Sequence, residues 1–246
     1  PAIAHFAHRA YWNLGIFLRL DGQSYAAPIV DWKLPGNSYR NFRYLWTNAA
    51  KLYLFTGNPK VGRYIHDYMM ESAKFDAWFW IGRTNYAAKK QATLQTRFKI
   101  RDYIYILLLA RDAFSPDELK LLEDRLRVWG HQTSLNWIRQ CPYNNNWVAV
   151  VGGGLLMSSI YFDDKASKSK AIERLKKYMN TTIEDDGSYG EQIHYFHYGA
   201  GSMAKLYKML DADARKELFA DSNLRHSADW AVYHYLFKKN YPGQRY

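Results

Sequence analysis

Leu54-Phe55-Thr56-Gly57-Asn58-Pro59 reads as the end of one helix and the start of the next. Gly57 suits the left-handed residue that closes a helix. Asn58 suits an N-cap, and Pro59 suits a first helical position that has no use for an N–H. Upstream, an apolar segment over about residues 39–55 reads as a helix. Downstream, Val61, Ile65, Tyr68 and Met69 share one face of a helix over about residues 59–74. The stretch therefore predicts a tight helical hairpin.

The same signals recur along the chain. Ser115-Pro116-Asp117-Glu118 is a capping box with proline at the first helical position. It opens a helix carrying Leu119, Leu122, Leu126 and Trp129 at helical spacing. Other helices are expected over about residues 5–20, 88–111, 145–162, 166–181, 195–210 and 223–238. A long connection is expected over residues 21–37. No alternating run of the kind a sheet needs is present. The expected fold is all-α, with antiparallel helical hairpins joined by short links. No Gly/Ser linker divides the chain, so a single domain over residues 1–246 is expected.

Composition limits the function. The 246 residues are 48% hydrophobic and 23% charged, which suits a globular chain with a substantial core. Lys and Arg number 34 against 23 Asp and Glu, a net charge of +11 that favours an anionic partner. Aromatic residues reach 17%, with 21 Tyr and 9 Trp, side chains that pair an apolar face with a polar edge. The single cysteine, Cys141, excludes an intrachain disulfide and a Cys-rich zinc site. The longest apolar run, residues 147–162, is broken by three glycines and two serines. It falls short of the roughly 20 residues that span a bilayer, so no membrane partner is expected. There is no P-loop, no dinucleotide-binding glycine motif and no nucleophile elbow. No nucleic-acid motif accompanies the positive charge, so nucleic acid is not an expected partner.

Two stretches carry polar chemistry. The first is Tyr143-Asn144-Asn145-Asn146-Trp147, ahead of an apolar segment and Gly152-Gly153-Gly154. Three asparagines exceed what one N-cap requires. An amide held at a helix start can donate to a carboxylate, although capping and close helix packing would also account for it. The second runs from Asp185 to Gly199: Asp185-Asp186-Gly187-Ser188-Tyr189-Gly190-Glu191-Gln192-Ile193-His194-Tyr195-Phe196-His197-Tyr198-Gly199. Asp186-Gly187 signals a turn. On the helix that follows, Tyr195 and Tyr198 share a face, as do His194 and Tyr198. A tyrosine beside a histidine and a cation can transfer protons; an aromatic helix packed into a Tyr-rich protein is the plainer use. His194 and His197 lack zinc-site spacing, and His226 and His234 are eight apart, so no metal or cofactor is expected. The densest basic run is Arg83, Lys89, Lys90, Arg97, Lys99 and Arg101. Such a run is ordinarily a solvated face; a polyanion-binding groove is the alternative, with Arg97 as a substrate contact.

Together these stretches resemble the helical toroid domain of the heparinase II/III and alginate lyase superfamily of polysaccharide lyases. The matching pieces are Asn145-Asn146-Trp147 with its glycine-rich helix, then Asp186-Gly187-Ser188-Tyr189 with Glu191, Tyr195 and Tyr198-Gly199. The hairpin around Leu54-Phe55-Thr56-Gly57-Asn58 is similar as well. The resemblance implies an incomplete (α/α) toroid and β-elimination at a uronic acid. It implies that Asn145 or Asn146 neutralises the uronate carboxylate, and that Tyr198, with Tyr195 as second choice, protonates the leaving oxygen or serves as base and acid in turn. A histidine would serve as the opposing base, with His194, His197 and His131 as the choices; Trp147, Glu191 and His197 would bind substrate. Many relatives carry histidine directly after the asparagine pair, where this chain has Asn146 or Trp147. Relatives also carry a C-terminal β-sandwich domain, so a partner domain that is separate or missing is expected. Secretion or periplasmic residence follows from the resemblance alone. Other functions that the residues allow are a non-catalytic acidic-glycan binder and a helical glycoside hydrolase. The hydrolase would need two carboxylates across a cleft, with Asp186 and Glu191 as the pair.

Overall fold

The computed structural model describes residues 45–74, 91–142, 144–190 and 192–232, without the side chains of 45, 192–194 and 197. The segment expected at 5–20, the connection at 21–37, and Arg83, Lys89, Lys90, Tyr143, Glu191 and His234 lie outside the described residues. Among the described residues the fold is all-α, with one isolated antiparallel bridge, Ile183 to Tyr189, in place of any strand. The chain divides into two compact units between Thr133 and Ser134. No linker composition marks this point.

In the first unit α1 (Leu45–Thr56) and α2 (Pro59–Ala73) form the expected hairpin. Gly57 has φ +58°, and the Asn58 side chain accepts from the Lys60 N–H. Val61, Ile65, Tyr68 and Met69 are all buried. Trp46 near the start of α1 stacks on Tyr68 and Tyr64 of α2, while Tyr53 near its end lies against Gly62, so the two helices are antiparallel. A β-carbon at Gly62 would come within 2.7 Å of the Tyr53 ring, and its absence lets the helices close. α3 (Leu94–Leu109) runs parallel to α1. Thr47 meets Asp102 at 3.1 Å, Lys51 lies over Tyr105, and Tyr53 reaches Asp112 at 3.3 Å, so the numbering rises together on both. After a short 3₁₀ turn, α4 (Pro116–Arg125) opens with the capping box: the Ser115 N–H donates to Glu118 at 2.9 Å and the Glu118 N–H to the Ser115 hydroxyl. α4 continues into a π-helical segment, Leu126–Gln132.

The second unit contains Ser134 onward of α5 (Thr133–Gln140), then a π segment, Val148–Gly152, that leads into α6 (Gly153–Tyr161). A three-residue turn, with Asp163 at φ 51°, joins α6 to α7 (Lys165–Thr181). The Asp164 side chain caps α7 by accepting from Ser167. α8 (Gln192–Tyr207) packs on the Val148–Gly152 segment and on α6. α9 (Ala212–Phe219) was not expected; Asp211 caps it by accepting from the Ala214 N–H at 2.8 Å. Its Asp-Ala-Asp-Ala start was the available signal. At the next expected helix, residues 223–226 form a 3₁₀ turn before helical residues resume.

The basic run on α3 is not a solvated face. Arg97, Lys99 and Asp102 are 6%, 5% and 0% exposed. Arg101 pairs with Asp102 at 2.6 Å, and Lys99 lies over the Tyr68 ring. Burial pushes the Lys99 pKa well below its usual range against the pull of Asp102. It raises that of Asp102 against the pull of Arg101 and Thr47. Lys99 and Asp102 face inward because Tyr68 of α2 and Thr47 of α1 lie against that side of α3. Helical periodicity alone could not reveal which neighbour does so.

Candidate active site

The two polar stretches meet at the C-terminal end of α7. Asn144 donates its side-chain amide to the Lys177 carbonyl at 3.2 Å and to the Thr181 hydroxyl, and its backbone carbonyl accepts from the Thr182 hydroxyl at 2.6 Å. The Thr182 carbonyl in turn accepts from the Gly190 N–H at 3.1 Å. One residue further on, Ile183 bridges to Tyr189, and the Glu184 N–H donates to Ser188 at 2.9 Å. The asparagine turn and the Asp-Gly-Ser-Tyr turn are thus fastened to one short run of chain, Thr181 through Glu184.

Each turn has a local cause. Asp186 accepts from the Ser188 N–H at 2.8 Å, a bond that pulls its carboxyl below the usual range. Gly187 has φ +84°, and a β-carbon there would lie 2.3 Å from the His226 carbonyl group, so glycine is required by both torsion and space. At the other turn the Asn145 side-chain oxygen accepts from the Trp147 N–H at 3.1 Å. That bond fixes the amide. Its NH₂ group makes no hydrogen bond among the described residues, on a half-buried side chain. Asn146 is 4% exposed. Trp147, half-buried, stacks on Trp137 at 6.1 Å.

α8 is anchored beside these turns by aromatic packing. The hydroxyls of Tyr178 and Tyr189 lie 2.8 Å apart, buried, and press against Gly199 of α8. Phe196 packs edge-on to Tyr189 and to Trp230. With Phe196 turned inward, Tyr195 on the same turn is 52% exposed; Tyr198, one turn on, is half-buried. α8 also packs on Val148–Gly152, the residues directly after Asn146-Trp147. A π segment at this point widens the helix where the asparagine turn enters, a feature frequent at functional sites. Gly152 lets α7 close on it, since a β-carbon would meet Leu175 at 3.1 Å.

Of the residues expected at the site, Asn145, Asn146 and Trp147 directly precede the Val148–Gly152 segment, and Tyr195 and Tyr198 lie on α8, which packs on that segment in the same unit. His194 and His197 lie on α8, their side chains undescribed, and Glu191 lies outside the described residues. Arg97 belongs to the other unit and is buried there, as is His131, 4% exposed in the Leu126–Gln132 segment. Among the described residues no group of three or more His, Cys, Asp or Glu could hold a metal ion, and no helix is long and apolar enough to cross a membrane. Sequence reasoning passed over Asn144, Tyr178 and Thr182, which do the fastening. The clue for Asn144 was the third asparagine; nothing in the sequence marked the other two.

The family model for alginate lyases matches residues 20–230, and the chain belongs to that family. The matched stretch includes both polar segments, and membership makes polysaccharide lyase the class of enzyme concerned. No curated protein matches the chain.

Proposed function

We propose that the protein cleaves a uronate-containing polysaccharide by β-elimination, in a cleft of a helical toroid beside Asn145 and α8. Removing the proton α to a carboxylate builds charge on that carboxylate, and stabilising the charge is the main catalytic task. The Asn145 NH₂ donates to the carboxylate, its amide fixed by the Trp147 N–H. A side chain of α8 takes the C5 proton, with His194 and His197 as the candidates. The C5–H electrons form the C4–C5 double bond, the C4–O bond breaks, and a tyrosine returns a proton to the departing oxygen. Tyr195 and Tyr198 are both candidates for this; the greater exposure of Tyr195 favours it as the group that touches substrate. Trp147 and Glu191 line the sugar path.

The observation that carries this reading is the common anchorage of both stretches on the end of α7, together with an uncommitted amide donor on Asn145. A hydrolase reading is disfavoured by Asp186. Its carboxylate already accepts the Ser188 N–H within the turn, and the lowered pKa makes it unsuited to the general-acid role, which needs a raised one. The test is incubation with a panel of uronic-acid polysaccharides, alginate included, following the ultraviolet absorbance of the new double bond. Reducing ends without that absorbance would establish a hydrolase. Binding without either would establish a non-catalytic glycan binder.

A further inference from the structure

α7 reads Lys-Ala-Ser-Lys-Ser-Lys-Ala-Ile-Glu-Arg-Leu-Lys-Lys-Tyr-Met-Asn-Thr. Its inner face is Ala171, Ile172, Leu175, Tyr178 and Met179. Its outer face carries cations with one acid among them, Glu173. Lys170, Arg174 and Lys177 follow the four-then-three spacing that keeps side chains on one stripe.

The cations on this stripe outnumber the acid they crowd. Lys170 Nζ sits 2.8 Å from the Glu173 carboxylate. Glu173 is held below its usual range first by Lys170, then by Arg174 and Lys177. Three cations thus surround one carboxylate. Lys168, by contrast, has its own acid in Glu217. Arg174 donates to the Cys141 carbonyl at 3.2 Å, which fixes the guanidinium on this face.

The stripe also has a direction. Arg174 holds Cys141, the Lys177 carbonyl accepts from Asn144, and Thr181 holds the same amide. Cys141 and Asn144 therefore both lie against this face of α7, and Asn144 directly precedes Asn145. From Lys170 to Lys177 the helix rises about 10 Å, enough to meet more than one charge of a polymer.

We propose that the Lys170–Arg174–Lys177 face of α7 is an extended binding track for an anionic polysaccharide, leading the chain to the asparagine turn. It rests on the reading of the Asn145 site as a polyuronate site and adds a region outside the reacting sugar. A regularly spaced polycarboxylate fits better than a compact anion because the cations form a line and not a pocket. At physiological ionic strength charges interact over about 8 Å, so the track acts through neighbouring charges and is weakened by salt.

The experiment compares the wild type with Lys170→Ala/Lys177→Ala, leaving Arg174 and its structural bond intact. Affinity is measured by retardation in gels containing polyuronate, at low and moderate salt, and elimination is measured on polymer and on short oligouronides. The expected result is a polymer affinity weaker by about 3- to 10-fold, as two exposed ionic contacts would give, with a flatter salt dependence. KM for polymer should rise with kcat retained, and oligouronide kinetics should stay as in the wild type. Unchanged retardation and unchanged polymer KM would overturn the proposal. So would an equal loss on polymer and oligouronide, which would place the lysines at the reacting sugar. So would a loss confined to duplex DNA or anionic vesicles, assayed in parallel, which would assign the face to a different partner. Retardation needs no turnover. If no uronate is cleaved but retardation depends on the two lysines, the lyase reading fails while the track stands.

Discussion

The Tyr178 hydroxyl lies 2.8 Å from the Tyr189 hydroxyl, and Gly199 of α8 closes over both. A β-carbon on Gly199 would fall 2.2 Å from the Tyr178 oxygen and 2.8 Å from that of Tyr189, and both rings are buried. Gly199→Ala should therefore push α8 outward and destabilise the protein by about 1–3 kcal/mol, with loss of kcat because Tyr195 and Tyr198 move with the helix. Tyr178→Phe alone should cost about 0.5–1.5 kcal/mol. Combined, the two should cost less than their sum, because the phenylalanine removes the atom that the new methyl strikes. Thermal melts of the four proteins measure this; strict additivity would show that the contact does not fix α8.

The two tyrosines of α8 differ in exposure, and that difference predicts their kinetics. Tyr195→Phe should lower kcat by about 100- to 10,000-fold, the range for a lost general acid or base. Substrate retardation should change little. Tyr198→Phe should have the smaller effect on kcat. The opposite ranking would assign proton transfer to Tyr198.

Asn145→Ala should lower kcat by about 100- to 1,000-fold, as for loss of one charge-stabilising donor. Asn144→Ala should act differently. It severs the bonds to Thr181 and Lys177, so the melting temperature should fall along with activity. A stable, inactive Asn144 variant would place that residue at the substrate instead.

The first unit contains a pH-sensitive clasp. His66 on α2 lies 3.0 Å from Asp67 and 3.0 Å from Glu118, the capping-box residue of α4, and stacks on Phe114. Burial disfavours the imidazolium, but the bonds to Asp67 and Glu118 outweigh it and raise the His66 pKa. Glu118 is held low by Ser115 and His66. The histidine contribution to stability is complete below its unfolded pKa of about 6.5 and is lost as pH rises through the raised folded value. The Glu118 contribution is complete above its unfolded pKa and is lost as pH falls through the lowered one. The melting temperature of His66→Gln should therefore lie furthest below the wild type in mild acid, and the gap should close as pH rises. A gap that is constant with pH would show that the clasp does not titrate.

Asp102→Ala should be the most damaging change on α3. It removes the carboxylate from part-buried Arg101 and buried Lys99, at a cost of about 3–5 kcal/mol. Urea denaturation measures it, and a midpoint close to wild type would mean that those cations find solvent.

Local signals in the sequence determined much of the helical architecture. Gly57-Asn58-Pro59 and Ser115-Pro116-Asp117-Glu118 set their boundaries because caps and glycine torsions are satisfied within a few residues. The Asp186-Gly187 turn was legible for the same reason, and the order of the two polar stretches gave the family. The start of α9 was also written in Asp211 but was masked by the polar surroundings. What tertiary structure decided was which of these residues share a neighbour. The anchorage of Asn144 and Gly190 on the end of α7 joins residues some forty positions apart. The burial of Lys99 and Asp102 depends on helices laid across α3, and the roles of the three asparagines separate only through their partners. Periodicity states which side chains share a face; it is silent on what that face meets, and the free energy of a buried charge or a committed amide is set by the far side of the contact.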